Sequence, residues 1–130
     1  MLDCGAMRRL FVAILLPLLD QASDFTVGSA TARAGQKAAG YIEVPAGVDA
    51  AANIAVIVVN GARPGPVLSL VAASHGAEYA SIIALQKLAQ AAGPAEISGT
   101  LIIVPLVNVA SFAQKAPHLN PIDGKNMNRF

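Results

Sequence analysis

Apolar and polar residues alternate along this chain with two different periods. Residues 53–59 (NIAVIVV) are a β-branched run, which predicts a well-buried strand. Residues 67–73 (VLSLVAA) are a second apolar run and also predict a buried strand. The pattern then changes. Over residues 77–92, Ile82, Leu85, Leu88 and Ala89 recur at three-to-four spacing, and Ile83 widens the stripe. Gln86, Lys87 and Gln90 fall on the other side, as in an amphipathic helix. Gly93-Pro94 supplies a stop signal. Gly99-Thr100 opens a third apolar run, residues 101–107 (LIIVPLV), and Pro105 predicts that this strand ends or bulges there.

The flanking segments are less regular. Phe25-Thr26-Val27 and Tyr41-Ile42-Glu43-Val44 carry short β patterns, punctuated by Gly28, Gly35, Gly40 and Pro45-Ala46-Gly47. They read as antiparallel edge strands. Asn60 to Pro66 (NGARPGP) reads as a tight loop between two strands. Residues 108–115 fit a short helix. Residues 116–130 (APHLNPIDGKNMNRF) have no apolar period and read as a loop. No internal repeat or low-complexity run is present, and one domain is expected. Strand, helix and strand in succession form a βαβ unit, whose strands should be parallel and its crossover right-handed. The fold class expected is therefore α/β, a mixed sheet with a parallel βαβ core. Ligands of such sheets lie beyond the carboxyl ends of the strands. His75 and Asn108 both fall there.

The amino terminus reads differently. Arg8-Arg9 precede ten apolar residues, 10–19 (LFVAILLPLL), and a polar end with small residues, Asp20-Gln21-Ala22-Ser23. Ten apolar residues are too few to span a bilayer but fit the core of a signal peptide. Residues 1–23 are thus expected to direct export, to a periplasm, and to leave no membrane span once removed. Asp20 is an imperfect residue at such a cleavage site. A buried amino-terminal helix or an uncleaved membrane anchor is the other reading of this segment. Composition narrows the partners. Of 130 residues, 55% are hydrophobic and 13% charged, with a net charge of +1, so no basic patch for nucleic acid is expected. Aromatics are 5%, with no Trp, which argues against base-stacking platforms. The single Cys4 has no partner for an internal disulfide.

Candidate chemistry sits between the second strand and the helix, in Ser74-His75-Gly76-Ala77-Glu78. A strand end fixes the His and the first helical turn fixes the Glu, so both can face one point. Neutral imidazole and carboxylate are good zinc ligands. Gly76 would let the backbone turn sharply between them. Bland roles fit as well: Glu78 would suit the positive end of a helix dipole, and His75 could be a half-buried turn residue.

The chain resembles the succinylglutamate desuccinylase/aspartoacylase family, relatives of the zinc carboxypeptidases. Three segments carry the likeness: Gly61-Ala62-Arg63-Pro64-Gly65-Pro66, Ser74-His75-Gly76-Ala77-Glu78-Tyr79, and the stretch from Asn120 to Phe130 that ends in Asn128-Arg129-Phe130. The last two lie about fifty residues apart in the family's order. The resemblance implies a zinc-carboxypeptidase-like sheet over residues 24–130, the N-terminal and incomplete part of a catalytic domain. It implies that His75 and Glu78 are two of three ligands to Zn2+, and that Asn128 and Arg129 hold a substrate carboxylate. A planar guanidinium fork suits that role; an ordinary surface ion pair is the competing role for Arg129.

Two departures stand out. Asn126 occupies a place where relatives often carry Asp as hydrogen-bond partner of the zinc His, so a weaker site is expected. No Arg matches the one that polarises the scissile carbonyl in relatives. Lys115 and His118 are the nearest charged or titratable residues, and His118 and Arg63 are expected to be ordinary loop residues. The family's third ligand, a His, and its general base, a Glu, match nothing here. The expected function is zinc-dependent hydrolysis of an amide in an N-acyl amino acid or related small carboxylate, with little activity from this chain alone. A zinc carboxypeptidase acting on peptides, or a non-catalytic remnant or binding module, are the alternatives. An exposed apolar sheet edge could drive self-association.

Overall fold

The computed structural model describes residues 23–47 and 50–129. The predicted leader, residues 1–23, lies outside these except for Ser23. Six strands and two helices follow in order: β1 (Phe25–Val27), β2 (Ala30–Ala32), β3 (Gln36–Val44), β4 (Ala52–Asn60), β5 (Arg63–Val71), α1 (Tyr79–Ala91), β6 (Ser98–Val104) and α2 (Val109–Ala113). A short 3-10 turn, Pro94–Glu96, joins α1 to β6. Strands β1 and β2 form a small antiparallel pair, and the rest form a mixed sheet in the order β3-β4-β6-β5. The βαβ unit is present: β5 and β6 are parallel, with Leu68 opposite Leu101 and Leu70 opposite Ile103. Strand β4 is antiparallel to both β3 and β6.

The β-branched run of β4 is buried because both faces of the sheet are covered. Side chains alternate across a strand. Val56 and Val58 point to one face and pack with Ala30, Ala32 and Val104 under the β1–β2 hairpin. Val59 points to the other and packs with Leu101 and Ile103, against Leu85 and Ala89 of α1. Lys37 on β3 donates to the carbonyls of Ala89 (2.6 Å) and Gln90 (3.4 Å). A cation placed there suits the negative end of α1. Asn60 is buried in the hairpin layer. It donates to Ser23 O and Ala32 O and accepts from Thr100 Oγ1, so its amide leaves no unsatisfied polar atom.

Two expectations are corrected here. Arg63-Pro64-Gly65-Pro66 is not a loop. It is the start of β5, and the connection from β4 is only Gly61-Ala62. The Pro and Gly residues mark a bulge instead. Pairing jumps from Arg63↔Ser98 to Val67↔Thr100, so β5 advances four positions while β6 advances two. Proline cannot donate to a ladder and is tolerated at bulges. Gly99 sits opposite at φ +84°, so close that a Cβ there would lie 2.0 Å from Pro66 O. Second, β5 is not buried. It is the edge of the described sheet, with Val67, Leu68 and Val71 each more than half exposed. The apolar run is real, but only Leu70 reaches the α1 layer.

Candidate metal centre

The carboxyl ends of β5 and β6 are tied together before the candidate residues begin. Ala72 N donates to Val104 O, Val107 N to Ala72 O, and Asn108 N to Ala73 O, at 2.9–3.1 Å. Ala73 is fully buried and adopts φ +59°, a left-handed conformation that alanine takes only under constraint. This kink ends the strand and turns the chain toward His75.

Asn108 holds the next residue. Its Nδ2 donates to Ser74 O at 3.0 Å, and its Oδ1 accepts from Ser111 N at 3.1 Å, capping α2. Asn108 is 4% exposed, so both bonds are shielded from water. The sequence signal was present, an Asn between an apolar strand and a short helix, but its second role as a brace for Ser74 was not foreseen.

Gly76 is needed for a different reason than a sharp turn. It is not among the glycines with positive φ. A Cβ there would lie 2.1 Å from Ser111 O and 2.6 Å from Ala116 O. Its own N–H donates to Ala116 O at 3.0 Å. The loop thus rests directly on the end of α2, with no space for a side chain.

Glu78 is the N-cap of α1 rather than part of its first turn. Its carbonyl accepts from Ser81 Oγ and Ile82 N. The carboxylate makes no cap bond, so it is directed away from the helix and reaches His75: Oε1 lies 2.7 Å from Nδ1. On the other side of the ring, Nε2 lies 2.9 Å from Asn126 Oδ1. That atom is identified as oxygen by its second partner, since it also accepts from Asn128 N at 2.9 Å. Nε2 is therefore the donor, and it carries a proton. Nδ1 faces a carboxylate, so either a second proton or a cation must lie between them.

The His75 pKa is raised. The main cause is the hydrogen bond to Asn126, followed by that to Glu78; burial opposes both. The charge of Glu78 raises it further and that of Arg129 lowers it, which places Arg129 within electrostatic range of the ring. Asn128 and Arg129 follow in a tight turn, with Arg129 N bonded to Asn126 O at 3.0 Å. Both are exposed. Arg129 uses one guanidinium nitrogen on Asn128 O (2.8 Å).

The structure thus gathers His75, Glu78, Asn126, Asn128 and Arg129 at one end of the sheet. His118 joins them unexpectedly: its exposed ring meets that of His75 edge-on, centroids 6.0 Å apart. Arg63 does not. It bonds Ser98 Oγ at the opposite end of β5. Nδ1 and Oε1 fit a divalent cation such as zinc, which would replace the proton between them. Among the described residues no group of three or more His, Cys, Asp or Glu converges.

Comparison with known proteins agrees with this geometry. The family described as the succinylglutamate desuccinylase/aspartoacylase catalytic domain matches residues 64–130. The N-alpha-acetyl-L-2,4-diaminobutyric acid deacetylase of Halomonas elongata is 34% identical over 93 residues, covering 69% of this chain and 27% of that protein. A succinylglutamate desuccinylase/aspartoacylase from Rhodobacter sphaeroides superimposes with a TM-score of 0.63 at 33% identity, covering 72% of this chain and 30% of that one. The product-bound ectoine utilization protein EutE (DoeB) of Ruegeria pomeroyi gives 0.62 at 31% identity, over 72% and 29%. The chain spans less than a third of the length of these relatives. It belongs to the succinylglutamate desuccinylase/aspartoacylase family.

Proposed function

We propose that this member of the family contributes the zinc and carboxylate-binding half of an amide-hydrolysing site, acting on an N-acyl amino acid or a related small carboxylate. One observation carries the reading. A carboxylate is held 2.7 Å from His75 Nδ1 while Nε2 is held as a donor by Asn126. That arrangement presents one imidazole lone pair and one carboxylate to the same point. Two family relatives are described as a deacetylase and a desuccinylase/aspartoacylase, which supports amide cleavage as the chemistry. We read the sheet as the N-terminal part of a zinc-carboxypeptidase-like arrangement.

His75 and Glu78 would hold the metal. Bound zinc would polarise the amide carbonyl and acidify the attacking water. Asn126 keeps the ring oriented. Arg129 has guanidinium donors beyond the one used on Asn128, and its fork accepts a carboxylate through two parallel bonds. Asn128, beside it, offers an amide to the same group. Binding at Arg129 would place the scissile amide near the His75–Glu78 pair. With no third donor among the described residues, the 130-residue chain alone is expected to hydrolyse slowly or not at all. We further read residues 1–23 as an export leader; finding Arg8 in the mature chain would exclude that.

The test continues this segment with the remaining length of a relative's chain. N-acyl amino acids and peptides are then assayed with and without a chelator. Zinc-dependent release of the acyl group, abolished by His75→Ala and by Glu78→Ala, is expected. Full activity in those variants would refute the assignment. Preference for peptides would move the substrate class to carboxypeptidase chemistry.

A further inference from the structure

Residues 120–129 form a loop whose hydrogen bonds are almost all internal. Asn120 N donates to Lys125 O, Gly124 N to Asn120 O, and Arg129 N to Asn126 O. Ile122 N donates to Asn120 Oδ1, Lys125 N to Asp123 Oδ1, and Asn128 N to Asn126 Oδ1. Arg129 bonds its neighbour Asn128. Among the described residues, a single hydrogen bond leaves the loop: His75 Nε2 to Asn126 Oδ1, 2.9 Å. Leu119 and Ile122 are about half exposed, so apolar burial anchors the loop weakly.

We propose that Asn126 is a positioning residue that tethers the whole 120–129 loop, and with it Arg129, to His75. The inference rests on the reading above for the role of Arg129. His75 is the rigid partner, since Ser74 is braced by Asn108 and Gly76 by Ala116. The loop is the adaptable one. One amide oxygen accepts from both sides, so the ring and the Asn128 backbone are fixed by the same atom. A cation on Nδ1 leaves the proton on Nε2, and the tether keeps its donor. In a neutral, metal-free ring the proton can move to Nδ1 toward Glu78, and the tether loses it. Cation occupancy and loop order are therefore coupled, and the coupling is reciprocal.

The test uses the full 130-residue chain, labelled with ¹⁵N, with Zn2+ as the probe. Hydrogen exchange is read at Asn128 and Arg129, together with the His75 Nε2–H signal and Zn2+ affinity. In the unaltered chain Zn2+ should slow exchange at Asn128 and Arg129 about fivefold, the worth of one net hydrogen bond. Asn126→Ala should lose the Nε2–H signal, exchange fast with or without Zn2+, and bind Zn2+ about tenfold or more weakly. Asn126→Asp keeps an acceptor on both sides and should restore all three. Unchanged exchange at Val58 and Ile103 shows that each variant is folded. Loop exchange in Asn126→Ala equal to that of the unaltered chain overturns the tether. If instead Asn126→Ala releases the loop while Zn2+ never perturbs His75, the tether stands and the metal reading fails.

Discussion

Replacing Gly76 by alanine is the sharpest perturbation the site offers. The new Cβ would lie 2.1 Å from Ser111 O, 2.4 Å from Ser111 C and 2.6 Å from Ala116 O. Real Cβ contacts are essentially never under 3.0 Å. From 2.1 to 3.0 Å, the Ser111 carbonyl must retreat by at least about 0.9 Å. These are backbone atoms at the end of α2, so they cannot swing aside as a side chain would. Overpacking of this kind costs about 1–3 kcal/mol. The retreat also strains the bond from Gly76 N to Ala116 O, worth about 1 kcal/mol net. The expected loss is about 2–4 kcal/mol, a large part of a small domain's stability. Urea unfolding followed by circular dichroism would measure it. Gly47→Ala is the control: nothing lies within 4 Å of that position, so little change is expected. If Gly76→Ala unfolds at the same urea midpoint as Gly47→Ala, the close approach of the two loops is wrong.

Other outcomes follow from the same structure. Asn108→Ala removes a buried helix cap and the brace on Ser74, and should cost about 1–3 kcal/mol in urea unfolding while shifting the His75 resonances. Without a bound cation, the raised His75 pKa contributes stability that is fully present below the ordinary value of 6.5 and fades as pH rises through the higher folded value. An NMR titration should show that elevation, and Glu78→Gln should reduce it. Leu68→Lys places a charge on the exposed edge strand and should lower concentration-dependent association in light scattering without shifting the unfolding midpoint.

Much of this arrangement was legible in the sequence because it rests on local period. The β-branched run of β4, the three-to-four spacing of α1 and the stop at Gly93-Pro94 all became the elements they predicted. Failures came where tertiary context overrides composition. Residues 67–71 look like a core strand, yet burial depends on which strands are neighbours, and β6 takes the central place. Arg63-Pro64-Gly65-Pro66 has the composition of a turn, yet Gly99 lets a bulged strand form opposite it. At the site, His75 and Glu78 could be paired from a spacing of three residues. The contact between His75 and Asn126 spans 51 positions, and only the likeness to a known family pointed to it. The left-handed Ala73 and the edge-on His118 gave no signal at all, because each is set by contacts distant in sequence.

The central claim is that His75 and Glu78 form a cation site. Competition for Zn2+ between the chain and a chromophoric chelator tests it most directly. One Zn2+ per chain is expected, with binding lost in His75→Ala and in Glu78→Ala and kept in His118→Ala. Equal affinity in all three variants, or loss confined to His118→Ala, would contradict it.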